Sequence, residues 1–493
     1  MATQQGSTQG RSNSLVTGVL WNLAQFGAGR FVTFVVTIVL ARLVEPSAFG
    51  LLALGLVALG VFDRLKDVGV GQGLVQRPGP WSRLAPTGFT LTVSGAIVLA
   101  GLCAVFAPQI AELLGDRALA PVLQVLAISL AVSGLAVFPD AALRRHMYFR
   151  QRTAPELAGA VAKGVVSIAL ALAGWGVWSL AWGQVAGSAA TTIGYWIAYR
   201  RHSDEPIRPG WDRPVAKSLL TYGGQLAWVS LAALLLDNLD YILIGRRLGA
   251  EQLGYYTVAF RLPELLVISI CTVIGQVLFS SFSARQDDGA GLRGQYLAAT
   301  SVVAMVIVPI GAGLSATAPD VVPVVLGDAF SASVPVLQFL GIYGLVYGLT
   351  FHAGELYKAT GRAHILLWLA VVKLVLMLPT LWIAAGHSIT AVAGALVGLH
   401  VVFAVLRAGI VRRYVGISVG AQVRAVIAPV VAGAAMWGAV ALVGALLPEW
   451  PHLVRLVLLM VVGAVVYLGA LVVLDRSAIG QLRSLVGRVR GRA

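Results

Sequence analysis

The chain has 493 residues, of which 58% are hydrophobic and only 12% charged, with a mean hydropathy of +0.84. A soluble domain carries about 25% charged residues, so the composition excludes one and implies an integral membrane protein. The net charge of +15 sits mainly in the segments between apolar runs, which fits attraction to anionic lipid headgroups and argues against nucleic acid as a partner. Cys103 and Cys271 lie inside apolar runs and make neither a disulfide framework nor a metal site.

Residues 1–14 are polar and read as a disordered cytoplasmic tail. A spanning helix needs about 20 apolar residues. Such runs follow at 15–41, 47–68, 84–107, 118–139, 155–174, 177–199, 216–244, 251–279, 294–318, 331–354, 363–386, 389–411, 421–447 and 452–474. The first is too long for a signal-peptide core and is read as a helix. The expected fold is all-α, with about fourteen transmembrane helices; runs this continuous lack the alternation of barrel strands. The tightest joints are Gly174–Gly176 and Gly386–Ser388. If odd-numbered spans run outward, most of the 36 Lys and Arg residues fall on one side. The positive-inside rule then places both termini in the cytoplasm, the expected location being a bacterial cytoplasmic membrane. Arg407 is counted among the cytoplasmic residues, and Arg42, Arg117, Arg246, Arg247 and Arg455 fall outside.

Four basic residues remain within spans: Arg30, Lys163, Arg261 and Lys373. Burying arginine at mid-membrane costs at least about 2.5–3.5 kcal/mol, so such a residue is paired, solvated by a cavity, or placed to meet an anion. In span 1, Asn22, Gln25, Arg30 and Thr33 recur at helical spacing as a polar stripe. Near the start of span 2, Arg42 and Gly50 flank an external turn, where arginine can snorkel and glycine can reverse the chain. The cluster Asp63-Arg64-Leu65-Lys66-Asp67 reads as interfacial anchoring or a cytoplasmic gate. In span 7, Asp237 and Asp240 share a face at i, i+3 and are the acidic candidates for cation coupling or external-gate pairing. In span 8, Arg261 has Glu264 at i, i+3, an alternative partner to any anion, and Pro263 should kink the helix beside it. Tyr343 and Tyr347 in span 10 offer either a sugar-stacking face or packing. Lys373 adds positive potential in span 11. His352, Glu355 and His400 are weaker candidates, as is Lys163, which can equally snorkel.

An internal repeat is visible without gaps. Ser14-Leu15-Val16-Thr17 falls on Ser218-Leu219-Leu220-Thr221, an offset of 204 residues, and Ile38, Arg42, Gly50, Gly71, Gln72 and Leu74 fall on Ile242, Arg246, Gly254, Gly275, Gln276 and Leu278. The repeat divides the chain into an N-lobe at 15–199, a cytoplasmic linker at 200–215 and a C-lobe at 216–411. Helices at 412–474 and a basic cytoplasmic tail at 475–493 follow. Span 1 and span 7 run the same way, so the copies are parallel repeats with a substrate site expected between them.

The segment from Ile38 to Leu54, with Gly50 within it, followed by Asp67 to Arg77, resembles the opening of bacterial polysaccharide-repeat flippases of the Wzx type. Leu239 to Gly249 with Leu253 to Phe260 is similar to the matching turn of their second half. The resemblance implies the multidrug/oligosaccharidyl-lipid/polysaccharide exporter superfamily: two six-helix lobes around a central cavity, worked by alternating access. It lends Arg30 and Arg261 the role of binding a diphosphate, for which a guanidinium supplies a permanent charge and forked donors. The implied substrate is a polyprenyl-diphosphate-linked saccharide moved from the inner to the outer leaflet. Membrane lipids are further partners, as is a coupling cation, Na+ or H+. A drug/cation antiporter of the same superfamily, with a carboxylate-dominated cavity, and a lipid II flippase are the alternatives. No phosphate-cradling loop, HExxH or paired-cysteine motif points to an enzyme or to a cofactor.

Overall fold

A chain crossing lipid must satisfy its backbone groups internally, and long apolar runs do so as helices. The computed structural model describes residues 29, 31–66, 70–148, 150–202, 208–448 and 450–475, with the backbone alone at 225–229. Among these residues there is no strand. Eleven helical stretches among them are long and apolar enough to cross a membrane, so the protein is a multi-pass, all-helical membrane protein. Two compact units divide the chain, residues 1–257 and 258–493.

The first unit contains α1 (Phe31–Ala41), α2 (Pro46–Lys66), α3 (Val70–Gln76), α4 (Trp81–Val105), α5 (Ala107–Leu114), α6 (Leu119–Arg145), α7 (Thr153–Leu172), α8 (Val177–His202) and most of α9 (Arg213–Pro263). Helix α8 fills the sixth span but carries too many polar residues to count among the apolar stretches. α9 joins the seventh and eighth spans and is broken at Gly249, whose φ of 87° and ψ of 172° are not helical. Between α7 and α8 the chain turns on Gly174 (φ 79°) and Gly176 (φ 51°), left-handed conformations that residues with a Cβ seldom adopt. Helix α5 is an addition to the expected spans. It is short and follows α4 after Phe106 alone.

Gly50 and Gly254 do not reverse the chain. Both lie inside helices, where α2 and the post-break part of α9 cross so closely that no side chain fits. A Cβ on Gly50 would lie 1.7 Å from the Ala250 carbonyl oxygen, and one on Gly254 would lie 1.8 Å from that of Pro46. Pro46 and Ala250 are themselves repeat mates, so the contact is reciprocal, as in an isologous interface. Arg246 also has a local task, its Nη1 donating to the Leu113 carbonyl at the end of α5 at 3.0 Å.

In the second unit, α9 ends at Pro263 and a π-helical turn, Glu264–Ile268, leads into α10 (Ser269–Ser283). There follow α11 (Gly289–Val321), α12 (Ser333–Thr350), α13 (His352–Ala359), α14 (His364–Ala384), α15 (Ile389–Val415), α16 (Val419–Leu446) and α17 (His452–Leu474). Helices α11, α16 and α17 share a core of Met305, Val308, Ala432, Met436, Val440, Leu459 and Tyr467. Leu446 and Val473 on the far faces are 76% and 80% exposed, as expected of side chains whose solvent is lipid.

α17 is tied to α11 through Asp320, which is 2% exposed. Its Oδ1 lies 2.8 Å from His452 Nδ1 and 3.1 Å from the Arg455 guanidinium, and Arg455 Nη2 donates to the Gly444 carbonyl at 3.0 Å. Removing one partner of such a group costs about 1–3 kcal/mol. Asp320→Ala is therefore expected to lower the thermal unfolding midpoint in detergent. The double variant Asp320→Leu with Arg455→Met should recover part of the loss, because an apolar pair leaves no uncompensated charge.

Candidate substrate-binding site

Pro263 has no backbone N–H and disturbs the helix that contains it. The wide turn at Glu264–Ile268 absorbs the disturbance, and Ser269 Oγ donates to the Glu264 carbonyl at 2.9 Å. The kink expected beside Arg261 thus takes the form of a π-helical turn, a feature frequent at functional sites. Arg261 Nη1 meets Glu264 Oε2 at 2.8 Å, the side chains being 39% and 30% exposed. The pair is formed but not sealed, so water or a ligand can reach it.

Tyr343 is 9% exposed and is held between rings. Its centroid lies 5.7 Å from Phe260, 6.3 Å from Tyr347 and 4.6 Å from His400. Packing takes up most of its surface, while Tyr347, one turn further, is half-buried. Lys373 on α14 is half-buried and close enough to influence His400 electrostatically.

Arg407 is a cation whose place the sequence does not disclose. It lies roughly two turns inside the end of α15, and its Nη1 donates to Thr350 Oγ1 at 3.1 Å and to the Thr350 carbonyl at 3.4 Å. The Tyr357 hydroxyl donates to the Arg407 carbonyl at 3.3 Å. The phenols of Tyr296, Tyr343, Tyr347 and Tyr357 lie within electrostatic range of its guanidinium. Among the described residues no carboxylate pairs with it. Nearby, His352 is wholly buried, with Nε2 2.8 Å from Thr300 Oγ1.

In the first unit Asp237 is exposed and Asp240 is buried. Asp240 Oδ2 accepts from the Tyr256 hydroxyl at 2.7 Å and Oδ1 from the Tyr241 N–H at 3.0 Å. One aspartate fastens α9 across its break while the other faces outward, so the structure does not bring them into one acidic site. Arg30, Asn22 and Gln25 lie outside the described residues. Thr33, at the described end of their stripe, donates to the Gly29 carbonyl at 3.0 Å.

Lys66 corrects the interfacial reading of its cluster. It is 8% exposed and turns inward, with Nζ 2.6 Å from Asp63 Oδ1 and 2.7 Å from Ser133 Oγ on α6. It lines a cavity of about 180 Å³ with Gln72, Ser133, Asp140, Arg144 and Tyr195. Asp140 is held there by Arg144 and by Arg152 Nε, the latter at 2.6 Å. Glu156 accepts from the Tyr195 hydroxyl at 2.9 Å. A second cavity, of about 250 Å³, shares the Ser133 and Ala136 wall and is lined by Lys163, Gln184, Ser188, Thr191 and Thr192. The stripe Gln184, Ser188, Thr191, Thr192, Tyr195 along the sixth span was the available signal for this polar interior.

A family described as "Polysaccharide biosynthesis protein" matches residues 39–335, more than half of the chain. The chain is 26% identical over 366 residues to "Lipopolysaccharide biosynthesis protein WzxC" of Escherichia coli, covering 74% of this chain and 73% of that protein. It is 24% identical over 343 residues to "Succinoglycan biosynthesis transport protein ExoT" of Rhizobium meliloti, covering 69% and 68%. In structure it is similar to the lipid II flippase MurJ in an inward closed conformation, with a TM-score of 0.75 at 14% identity over 94% of this chain and 100% of the other. An inward-facing MATE family transporter aligns with a TM-score of 0.63 at 14% identity, over 78% and 94%. These two likenesses concern the fold, and the family follows from the length of the sequence match: the chain belongs to the polysaccharide biosynthesis protein family, on the fold of the multidrug/oligosaccharidyl-lipid/polysaccharide exporters.

Proposed function

We propose that this protein is a flippase, not an enzyme, and that it moves a polyprenyl-diphosphate-linked oligosaccharide from the inner to the outer leaflet of the cytoplasmic membrane for surface polysaccharide synthesis. Family membership supports this, as do the names of the relatives, which refer to lipopolysaccharide and succinoglycan biosynthesis. The observation that carries it is the character of the polar interior. The cavities of the first unit present lysine, arginine, amide and hydroxyl groups, whereas a cation antiporter requires carboxylates facing its cargo. Asp140, the acid that lines one of them, is already engaged by two arginines.

In the proposed cycle, two lobes, 15–199 and 216–411, rock in alternating access within a fourteen-helix protein whose termini are cytoplasmic. Arg30 and Arg261 hold the diphosphate. Glu264 occupies Arg261 between substrates, and arrival of the diphosphate exchanges one anionic partner for another, favouring one of two states. Asp237 and Asp240 are the positions for coupling to a cation or to gate closure. Membrane potential supplies about 2.3 kcal/mol per charge per 100 mV.

The test is flipping of a defined lipid-linked saccharide in reconstituted vesicles. Arg30→Ala and Arg261→Ala are expected to slow it at least about tenfold, while Glu264→Gln alters the apparent affinity for the lipid more than the maximal rate. Unchanged flipping in both arginine variants would sink the clamp. Transport of cationic dyes without movement of the lipid-linked sugar would favour the antiporter.

A further inference from the structure

The smaller cavity of the first unit, about 180 Å³, is lined by Lys66 of α2, Gln72 of α3, Ser133, Asp140 and Arg144 of α6, and Tyr195 of α8. Lys66 reaches it because α6 presents a glycine there. A Cβ on Gly134 would lie 3.4 Å from Lys66 Cδ, so the lysine stem packs on bare backbone and its head meets the neighbouring Ser133.

The hydrogen-bonding capacity of this wall is lopsided. An ammonium has three donors and a guanidinium five. Lys66 gives one to Asp63 Oδ1 at 2.6 Å and one to Ser133 Oγ at 2.7 Å, and Ser133 gives its own proton to the Leu130 carbonyl at 3.1 Å. Arg144 meets one oxygen of Asp140 through Nη2, and Arg152 Nε meets the other. The Tyr195 hydroxyl donates to Glu156 at 2.9 Å. Among the described residues, one N–H of Lys66, most of the Arg144 fork and the Gln72 amide are left over, whereas both Asp140 oxygens are engaged. The Lys66 ion pair is also polarised in space. Its Asp63 side chain is 53% exposed and the lysine side chain 5%, so water screens the negative end while the positive end faces the cavity.

We propose that this cavity receives a phosphate group of a lipid headgroup at the inner leaflet, on Lys66, Arg144 and Gln72, before the headgroup reaches the Arg30 and Arg261 clamp. The inference rests on the flippase reading and deepens it by giving the substrate an entry station. Donors left over on three helices call for a ligand rich in acceptors. A phosphate presents oxygens to several converging N–H groups at once, with lysine serving as a point charge and arginine as a fork. Volume sets the size of what enters: about 180 Å³ falls below the roughly 300–1,000 Å³ of sites for drug-sized ligands. The cavity therefore takes the phosphate end of the substrate, and the glycan and prenyl chain stay outside it. The place agrees, since Lys66 closes α2 and Arg144 lies in the last turn of α6. That is the end the positive-inside rule assigns to the cytoplasm, where the headgroup arrives.

The experiment is equilibrium binding of polyprenyl diphosphate, polyprenol and inorganic phosphate to the full chain in nanodiscs of phosphatidylcholine. The background is the double variant Arg30→Ala with Arg261→Ala, so that the clamp makes no contribution. Polyprenyl diphosphate is expected to bind saturably and polyprenol not at all. Lys66→Met should weaken the diphosphate lipid at least about tenfold and Gln72→Leu about threefold, while Lys66→Arg, which keeps the charge, changes it less than about threefold. Gln72 makes no hydrogen bond among the described residues, so its variant reads the ligand and not the fold. Equal binding of polyprenol, or diphosphate binding that survives both Lys66→Met and Gln72→Leu, would overturn the proposal. Lysine-dependent binding of inorganic phosphate without binding of the lipid would assign the site to free phosphate and remove the entry role. A loss in Lys66→Arg as large as in Lys66→Met, with a matching fall in unfolding midpoint, would leave Lys66 a fastener between α2 and α6. The two readings fail separately in vesicles that carry the clamp. Flipping that depends on Arg261 but not on Lys66 removes the entry station alone, whereas no flipping of any lipid-linked saccharide removes the flippase reading.

Discussion

Gly50→Ala and Gly254→Ala are each expected to destabilise the first unit by about 3 kcal/mol, the upper end of what overpacking typically costs, although each adds only one methyl group. The obstacle in both cases is a carbonyl oxygen of the facing backbone, 1.7 Å and 1.8 Å from the added carbon. A side chain could rotate away; a helix backbone cannot without moving the crossing. Gly245 is the control. Its added Cβ would meet the Leu54 side chain, the nearest atom Cδ2 at 2.5 Å, and a leucine tip can shift, so Gly245→Ala should cost less than either. The reciprocal geometry makes a sharper prediction. Once Gly50→Ala has opened the crossing, Gly254→Ala meets a gap already widened, so the double variant should lose clearly less stability than the two singles combined. Unfolding midpoints in detergent, read by tryptophan fluorescence for the four proteins of the cycle, measure this. Additivity would show that the two contacts yield independently and that the repeat is not mechanically coupled at this point.

The same glycines show where sequence reasoning reaches and where it stops. Their correspondence across 204 residues is visible in the chain, but its cause is not, because each glycine's partner lies in the other repeat. Proximity to a turn was the only local explanation available. Helical spans are legible because a run of about 20 apolar residues permits little else in lipid. Helix α8 shows the converse, since the polar residues that dilute its hydropathy form the wall of a cavity. The Arg261–Glu264 pair and the disturbance at Pro263 could be read locally, both arising within one helical turn. Asp237 and Asp240 show the limit of such spacing. Residues at i and i+3 stand about 60° apart around a helix of 3.6 residues per turn, enough for a burial boundary to pass between them. The surroundings of Lys66 and Arg407 escape a local reading for a common reason. A cation near the end of an apolar run looks like a headgroup anchor, and only the tertiary fold shows whether its head turns outward or in.

Arg407→Met is expected to leave the unfolding midpoint unchanged or raise it, and yet to slow flipping by about tenfold or more. The guanidinium is half-buried, donates to a neutral threonine, and has no carboxylate pairing with it among the described residues. Its desolvation is therefore offset only by neutral groups. An apolar side chain of similar length removes that cost, and the hydrogen bond from the Tyr357 hydroxyl to the Arg407 carbonyl does not depend on the side chain. A charge retained against stability inside a membrane protein belongs to function by default, and positive charge within electrostatic range of four phenols suits an anionic or saccharide headgroup passing over the second unit. Arg407→Lys should fall between the two proteins, since it keeps the charge but loses the forked donor geometry. A large fall in midpoint for Arg407→Met, matched by an equal fall in folded yield, would identify Arg407 as a structural fastener between α12 and α15. Full flipping activity in a stable variant would remove it from the transport path.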